Sequence, residues 1–139
     1  MSKINLGRVI MGGLLAGLII NIFEYVLNGV VLHDQWETVV STHNLPAMGM
    51  NEIIWFNVLG FALGIAAVWT YAAIRPRFGA GVKTAVFAAL LTWVTAYLFC
   101  NAMPTITGLF SLQLMLTLVG VGLIEIIVAT IAGAWLYKE

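Results

Sequence analysis

Four stretches of this chain, residues 7–32, 52–74, 83–103 and 109–137, are long and almost uncharged. A helix needs about 20 mostly apolar residues to cross the hydrocarbon core of a bilayer, and each stretch meets that length. With 62% hydrophobic and 9% charged residues and a mean hydropathy of +1.03, the chain also lacks the polar surface of a soluble domain, where about 25% of residues are charged. The expected fold is therefore all-α: a four-helix transmembrane bundle, forming one domain over residues 1–139. Pro46, Pro76 and Pro104 are read as marking the connections, since proline removes a backbone N–H that a helix interior needs. "RPRFGAG" and "NAMPTITG" then become the turns after the second and third spans.

Charge sets the expected orientation. Lys3, Arg8, Arg75, Arg77, Lys83 and Lys138 all fall on one side of this arrangement, and 33–51 and 101–108 contain no Lys or Arg. By the positive-inside rule both termini are cytoplasmic. Residues 1–20 have the basic start and apolar run of a signal peptide. No small-residue cleavage site with a polar mature start comes after them, so this segment reads as an uncleaved first span.

The first outer loop is expected to hold a short interfacial helix over 35–42. Asp34 and Glu37 have the spacing of a capping box, and Trp36, Val39 and Val40 line one side. The indole of Trp36 is placed at headgroup depth. Asn51 is the expected cap of the second span.

Inside the first span, "NIFEYVLNG" interrupts the apolar pattern. At 100° per residue, Gly13, Gly17, Asn21, Glu24 and Asn28 fall within roughly 80° of arc. Asn57, Gly60 and Gly64 share a face of the second span, and Gly122, Ala129 and Ala132 surround Glu125 on the fourth. Small residues let helix backbones approach, and polar ones bond between helices, so these faces should meet each other while Leu, Ile and Val meet lipid. An acid at membrane depth costs at least about 2.5–3.5 kcal/mol on insertion scales, which makes it a functional candidate by default. No Lys or Arg shares the depth of either acid, so each is expected to be protonated or to hold a cation.

Measured from the expected outer ends, Glu24 lies about 12 Å deep and Glu125 about 24 Å deep at 1.5 Å per residue. The two are therefore not expected to pair. Glu24 is grouped with Asn28, Asn57, Thr95, Tyr97, Asn101, Gln113 and Thr117 around an outward-facing polar pocket. Glu125 is read as a neutral acid bonded to a backbone carbonyl. The candidate ligand or ion pocket is thus Asn21, Glu24, Asn28, Asn57 and Glu125. A metal alternative joins His33, His43, Met48 and Met50, whose imidazole and thioether groups would suit copper(I); the plainer reading is solvated loop side chains. Cys100 reads as a small apolar filler.

No nucleophile elbow, phosphate loop or zincin motif is present. Ser41, His43 and Asp34 share one short loop without a scaffold to orient them as a triad. No enzyme activity, catalytic residue or cofactor is expected. Zero net charge gives no attraction to nucleic acid. The lipid bilayer is the expected partner, with a homo-oligomer or a larger membrane complex as the candidates beyond it.

"NLGRVIMGGLLAGLIINIFEYVLNGVVL", "VWTYAAIRPRFGAGVKTA" and "ATIAGAWLYKE" together resemble small bacterial four-span inner-membrane proteins of unassigned function. The resemblance covers almost the whole chain and implies four helices and a bacterial inner membrane. It carries no residue role. In size the chain is also similar to small multidrug-resistance transporters, which use a glutamate in their first helix; Glu24 sits in the outer third of its span and the fourth span has its own acid, so that likeness is one of analogy. Two functions are expected. The first is a non-enzymatic accessory or structural subunit with an outward pocket around Glu24. The alternative is a small oligomeric transporter or channel for a proton or cation at Glu24. The apolar, glycine-rich inner half of the first span favours the former.

Overall fold

The computed structural model describes residues 3–137. Four helices are long and apolar enough to cross a membrane. They are α1 (Leu6–Val31), α3 (Met50–Phe78), α4 (Val82–Ile106) and α5 (Leu112–Leu136). A fifth, α2 (His33–Thr42), is the short helix of the first loop. The chain is an all-α bundle of four membrane-length helices.

Local chemistry starts three of these helices. Asn5 caps α1 by accepting the Arg8 N–H at 3.1 Å, and Ser111 caps α5 by accepting the Leu114 N–H at 3.1 Å. At α3 the cap is Gly49, whose N–H donates to the Glu52 carboxylate at 2.8 Å. Asn51 is therefore inside the helix and does not cap it. The α2 start also departs from expectation: Leu32 occupies the cap without a side-chain bond, and Glu37 pairs with His33 at 3.3 Å instead of closing a capping box with Asp34.

The prolines end nothing. Only Pro46 lies in a connection; Pro76 and Pro104 sit near the ends of α3 and α4. Each removes one N–H, which a membrane helix tolerates when neighbouring groups absorb the change. The turn after α3 is accordingly only 79–81, where Gly79 and Gly81 have φ of 86° and 129°, a region that glycine enters without a Cβ clash.

Packing follows the small-residue faces. α1 lies against α3 and α5, and α4 closes the bundle against the same two. A Cβ added at Gly13 would lie 2.5 Å from the Ile65 Cα, and one at Gly17 would lie 2.6 Å from the Phe61 Cα. Backbones this close exclude any larger residue, as the small-xxx-small pattern requires. Alanines fill much of the remaining core: Ala16, Ala67, Ala88, Ala89 and Ala129 are fully buried.

The two ends differ. Lys3, Arg8, Arg75, Arg77 and Lys83 gather at one end, which we call inner; Lys138 lies outside the described residues. There the Tyr137 hydroxyl accepts the Asn5 N–H at 3.2 Å. Arg75 stacks over the Tyr137 ring at 5.6 Å, and Tyr71 meets that ring edge-on. At the outer end residues 50–59 of α3 are all exposed.

Candidate functional site

The outer ends of α1 and α5 are not flush, and this offset builds the site. Leu27 of α1 and Leu32, just beyond its end, share a buried cluster with Leu114 and Leu118 of α5, with Trp36, Val39 and Phe110 packed on it. The end of α1 is thus level with the second turn of α5. Glu24 is eight residues inward of Leu32, about 12 Å by helical rise, and Glu125 is seven inward of Leu118, about 10 Å. The depth difference expected from the sequence disappears, because α5 begins farther out than α1 ends.

Glu24 and Glu125 consequently face each other in hydrogen-bonding contact. The expectation that they would not pair is overturned, and so is the reading of Glu125 as bonded to a backbone carbonyl. The Tyr97 hydroxyl donates to Glu125 Oε1 at 2.7 Å. Glu125 Oε2 meets no neutral donor, which leaves it the Glu24 carboxyl. Glu125 itself is fully buried, and Glu24 is half-buried.

On its outward side Glu24 accepts the Asn28 amide N–H. The Asn28 carbonyl oxygen accepts the Trp36 indole N–H at 2.9 Å. An indole nitrogen only donates. It therefore fixes the Asn28 amide, with oxygen toward Trp36 and nitrogen toward Glu24. Trp36 also packs edge-on against Phe110, with ring centroids 5.3 Å apart. The helix expected over 35–42 is present, and its indole is bonded into the protein.

Two irregular turns aim these side chains. Asn28 lies in a π-helical turn, Leu27–Val31, and Tyr97 in another, Trp93–Leu98. Such bulges put one extra residue into a turn and rotate the residues beyond it, and they recur at functional sites. Gly122 completes the fit: it lies bare beneath the Tyr97 ring, where a Cβ would come within 2.6 Å of Cε1.

An ionised carboxylate is acceptor-only, so two carboxyls in hydrogen-bonding contact need a proton between them. Among the described residues no Lys, Arg or His acts on either group. Like charges this close do not both persist. The arrangement needs at least one proton between the two carboxyls, with Asn28 and Tyr97 each donating to it. Inward-pointing donors suit a protonated pair and not a metal ion, which needs oxygen lone pairs aimed at it.

The remaining expected pocket residues lie elsewhere. Asn21 turns toward α3 and donates to the Asn57 backbone carbonyl at 3.1 Å. The Asn57 side chain is exposed and donates to its own helix at Ile53 O, 2.8 Å away. Thr95, Asn101 and Thr117 likewise bond to carbonyls of their own helices. Gln113 lines a separate outer cleft of about 460 Å³ between α2 and the α4–α5 turn, with Thr38, Thr42, His43 and Ser111.

The metal alternative is not assembled. His33 and His43 stand at opposite ends of the ten-residue α2, about 15 Å apart by rise. His33 pairs with Glu37, and His43 Nε2 lies 3.2 Å from the Leu109 carbonyl oxygen. Met48 and Met50 are exposed. Cys100 is exposed as well and is no core filler.

Trp36 is the site residue whose bond to Asn28 the sequence reading did not foresee. Tyr97 was only one of several polar groups near the right depth. Its signal was chemical: an acid without a basic neighbour needs hydroxyl or amide donors, and Tyr97 is the tyrosine in the outer half of α4. No family model, curated protein or solved structure matches the chain.

Proposed function

We propose that this integral membrane protein is a non-enzymatic accessory subunit of a bacterial inner membrane, with both termini cytoplasmic, and that its working site is the proton-holding pair Glu24–Glu125. The observation that carries this reading is the contact between the two carboxyls with one donor on each: Asn28 on Glu24 and Tyr97 on Glu125. Intramembrane acids are expensive and are retained for function. Two acids in one site, with matched donors and no basic partner, serve packing poorly, because either could be replaced by a neutral amide. The ligand is a proton, reached from the outer side through Asn28 and Trp36.

The inner half supports binding over conduction. Below the pair, Gly12 and Gly133 bring α1 and α5 together so closely that a Cβ on Gly133 would stand 2.6 Å from the Gly12 carbonyl oxygen. Val9, Ala16, Val68 and Ala129 fill the space around them. Among the described residues, the buried polar side chains between the pair and the basic end are the separate hydroxyls of Thr84, Thr92 and Thr130.

A second reading, the small oligomeric transporter, draws on one observation. The outer half of α3, residues 50–59, is exposed at every residue and would suit a second copy that completes a path. Purified protein in liposomes loaded with a pH-sensitive dye separates the two. Under the binding reading, an acid jump outside gives saturable proton uptake per chain and no sustained flux into the lumen. The Glu24→Gln/Glu125→Gln double variant loses the uptake. Sustained flux that the same variant abolishes would favour the transporter, and uptake unchanged in the variant would overturn the pair as the site.

A further inference from the structure

The pair is tied by two hydrogen bonds to a separate element, the outer helix α2. Trp36 donates to Asn28, and Asn28 donates to Glu24. Besides this chain, α2 meets the bundle through Val39 on the leucine cluster, the Trp36–Phe110 contact and the His43–Leu109 contact. Among the described residues, Asn28 is the polar link between the carboxyl pair and α2. We propose that the charge of the pair sets how firmly α2 docks: the helix is held while the pair keeps one proton and is loosened when it takes a second. This rests on the reading of Glu24–Glu125 as a proton site and adds the regulation of that site.

The chemistry runs along the link. With one proton, the pair carries a negative charge, and the Asn28 N–H donates to it in a charge-assisted bond, stronger than a neutral one. Donating into a charge polarises the amide and makes its oxygen a better acceptor, so the Trp36 bond strengthens too. A second proton removes the charge. Both bonds then become neutral, and Trp36 loses its reason to prefer Asn28 over water at the membrane surface. The groups acting on the pair are few. Tyr97 on α4 is the other titratable side chain bonded to it, and α3 contributes none. On α2, His33 and Glu37 bond each other on its exposed side, and His43 sits at the far end on Leu109.

Glutamine substitutions separate the states. In Glu24→Gln the amide N–H stands permanently in place of the shared proton, its carbonyl still accepts from Asn28, and Glu125 keeps the charge. Glu125→Gln does the same from the other side. The double variant Glu24→Gln/Glu125→Gln has the neutral pair that a second proton would give. Asn28→Leu cuts the link and leaves the pair.

The test uses full-length protein in nanodiscs, with fluorotryptophan at its five tryptophans and the Trp36 signal assigned by Trp36→Phe. Fluorine NMR is recorded on both sides of the pH at which the glutamate carboxylic infrared band changes. In wild type the Trp36 signal should move from a sharp docked position to a broadened, solvent-shifted one as the second proton enters. Each single glutamine variant keeps one ionisable carboxyl, so its Trp36 signal should be docked while that carboxyl is charged and loosen at the pH at which its carboxylic band appears. The double variant and Asn28→Leu should give the loosened signal throughout. A Trp36 signal that stays docked while the carboxylic band titrates overturns the coupling alone, and so does a docked, folded double variant. A carboxylic band that never titrates overturns the proton site as well.

Discussion

Gly122→Ala tests whether the bare stretch of α5 under Tyr97 is what puts its hydroxyl on Glu125. The new Cβ would stand 2.6 Å from Tyr97 Cε1 and 3.1 Å from Cγ, where carbons in contact prefer about 3.5–4.0 Å. The ring must retreat by about 1 Å, since α5 itself is pinned by its neighbours. The 2.7 Å bond to Glu125 Oε1 then passes beyond hydrogen-bonding range. Overpacking costs about 1–3 kcal/mol, and a side-chain hydrogen bond in a membrane protein contributes about 0.6–1.7 kcal/mol. Together they give an expected loss of about 2–5 kcal/mol. Tyr97→Phe, which keeps the ring and drops the bond, should lose only about 0.6–1.7 kcal/mol. Added to Tyr97→Phe, Gly122→Ala should cost the overpacking alone, so the two changes should fall short of additivity by the value of the bond. Reversible unfolding in mixed micelles of rising SDS content measures all four proteins. A Gly122→Ala protein within about 0.5 kcal/mol of wild type would refute the reasoning, and so would strict additivity with Tyr97→Phe.

Thr130 is fully buried with no partner for its hydroxyl; Thr130→Val keeps the shape, removes an unmet polar group and should stabilise the bundle by about 1 kcal/mol in the same assay. Trp36→Phe keeps an aromatic ring for Phe110 but loses the bond to Asn28, so α2 should weaken by about 0.5–1.5 kcal/mol, seen as faster proteolysis of the 43–49 loop with the four spans still protected. Reporter fusions at the C-terminus and in the 33–51 loop should be active inside and outside respectively, and an externally active C-terminal fusion would reverse the assigned depths.

Most of the fold was legible because hydrocarbon leaves a chain few options. Apolar length located the four spans, and the glycines at 13, 17, 60 and 64 foretold the close α1–α3 crossing that Ile65 and Phe61 now document. Span ends were harder to read. Pro76 and Pro104 looked like borders, yet each helix carries its proline inside the last turns. Depths counted from guessed ends kept Glu24 and Glu125 apart, whereas the Leu27–Leu32 and Leu114–Leu118 cluster sets the true register. Such an offset between helices is a property of tertiary packing and leaves no local trace in sequence. The polar stripe on α1 was real but divided: Asn21 serves the α3 contact, and Glu24 and Asn28 serve the pair. The π-helical turns at Leu27–Val31 and Trp93–Leu98 carry Asn28 and Tyr97, and nothing in the local sequence announced them.

The shared proton between Glu24 and Glu125 is open to direct measurement by solid-state NMR on protein in lipid bilayers, with glutamate side-chain carboxyl carbons labelled. The result expected at neutral pH is a dipolar cross-peak between two of these carbons, one with the shift of a carboxylic acid and the other of a carboxylate, lost in both Glu24→Gln and Glu125→Gln. Assigned Glu24 and Glu125 signals without a cross-peak, or both with carboxylate shifts, would contradict the pairing on which the proposed site rests.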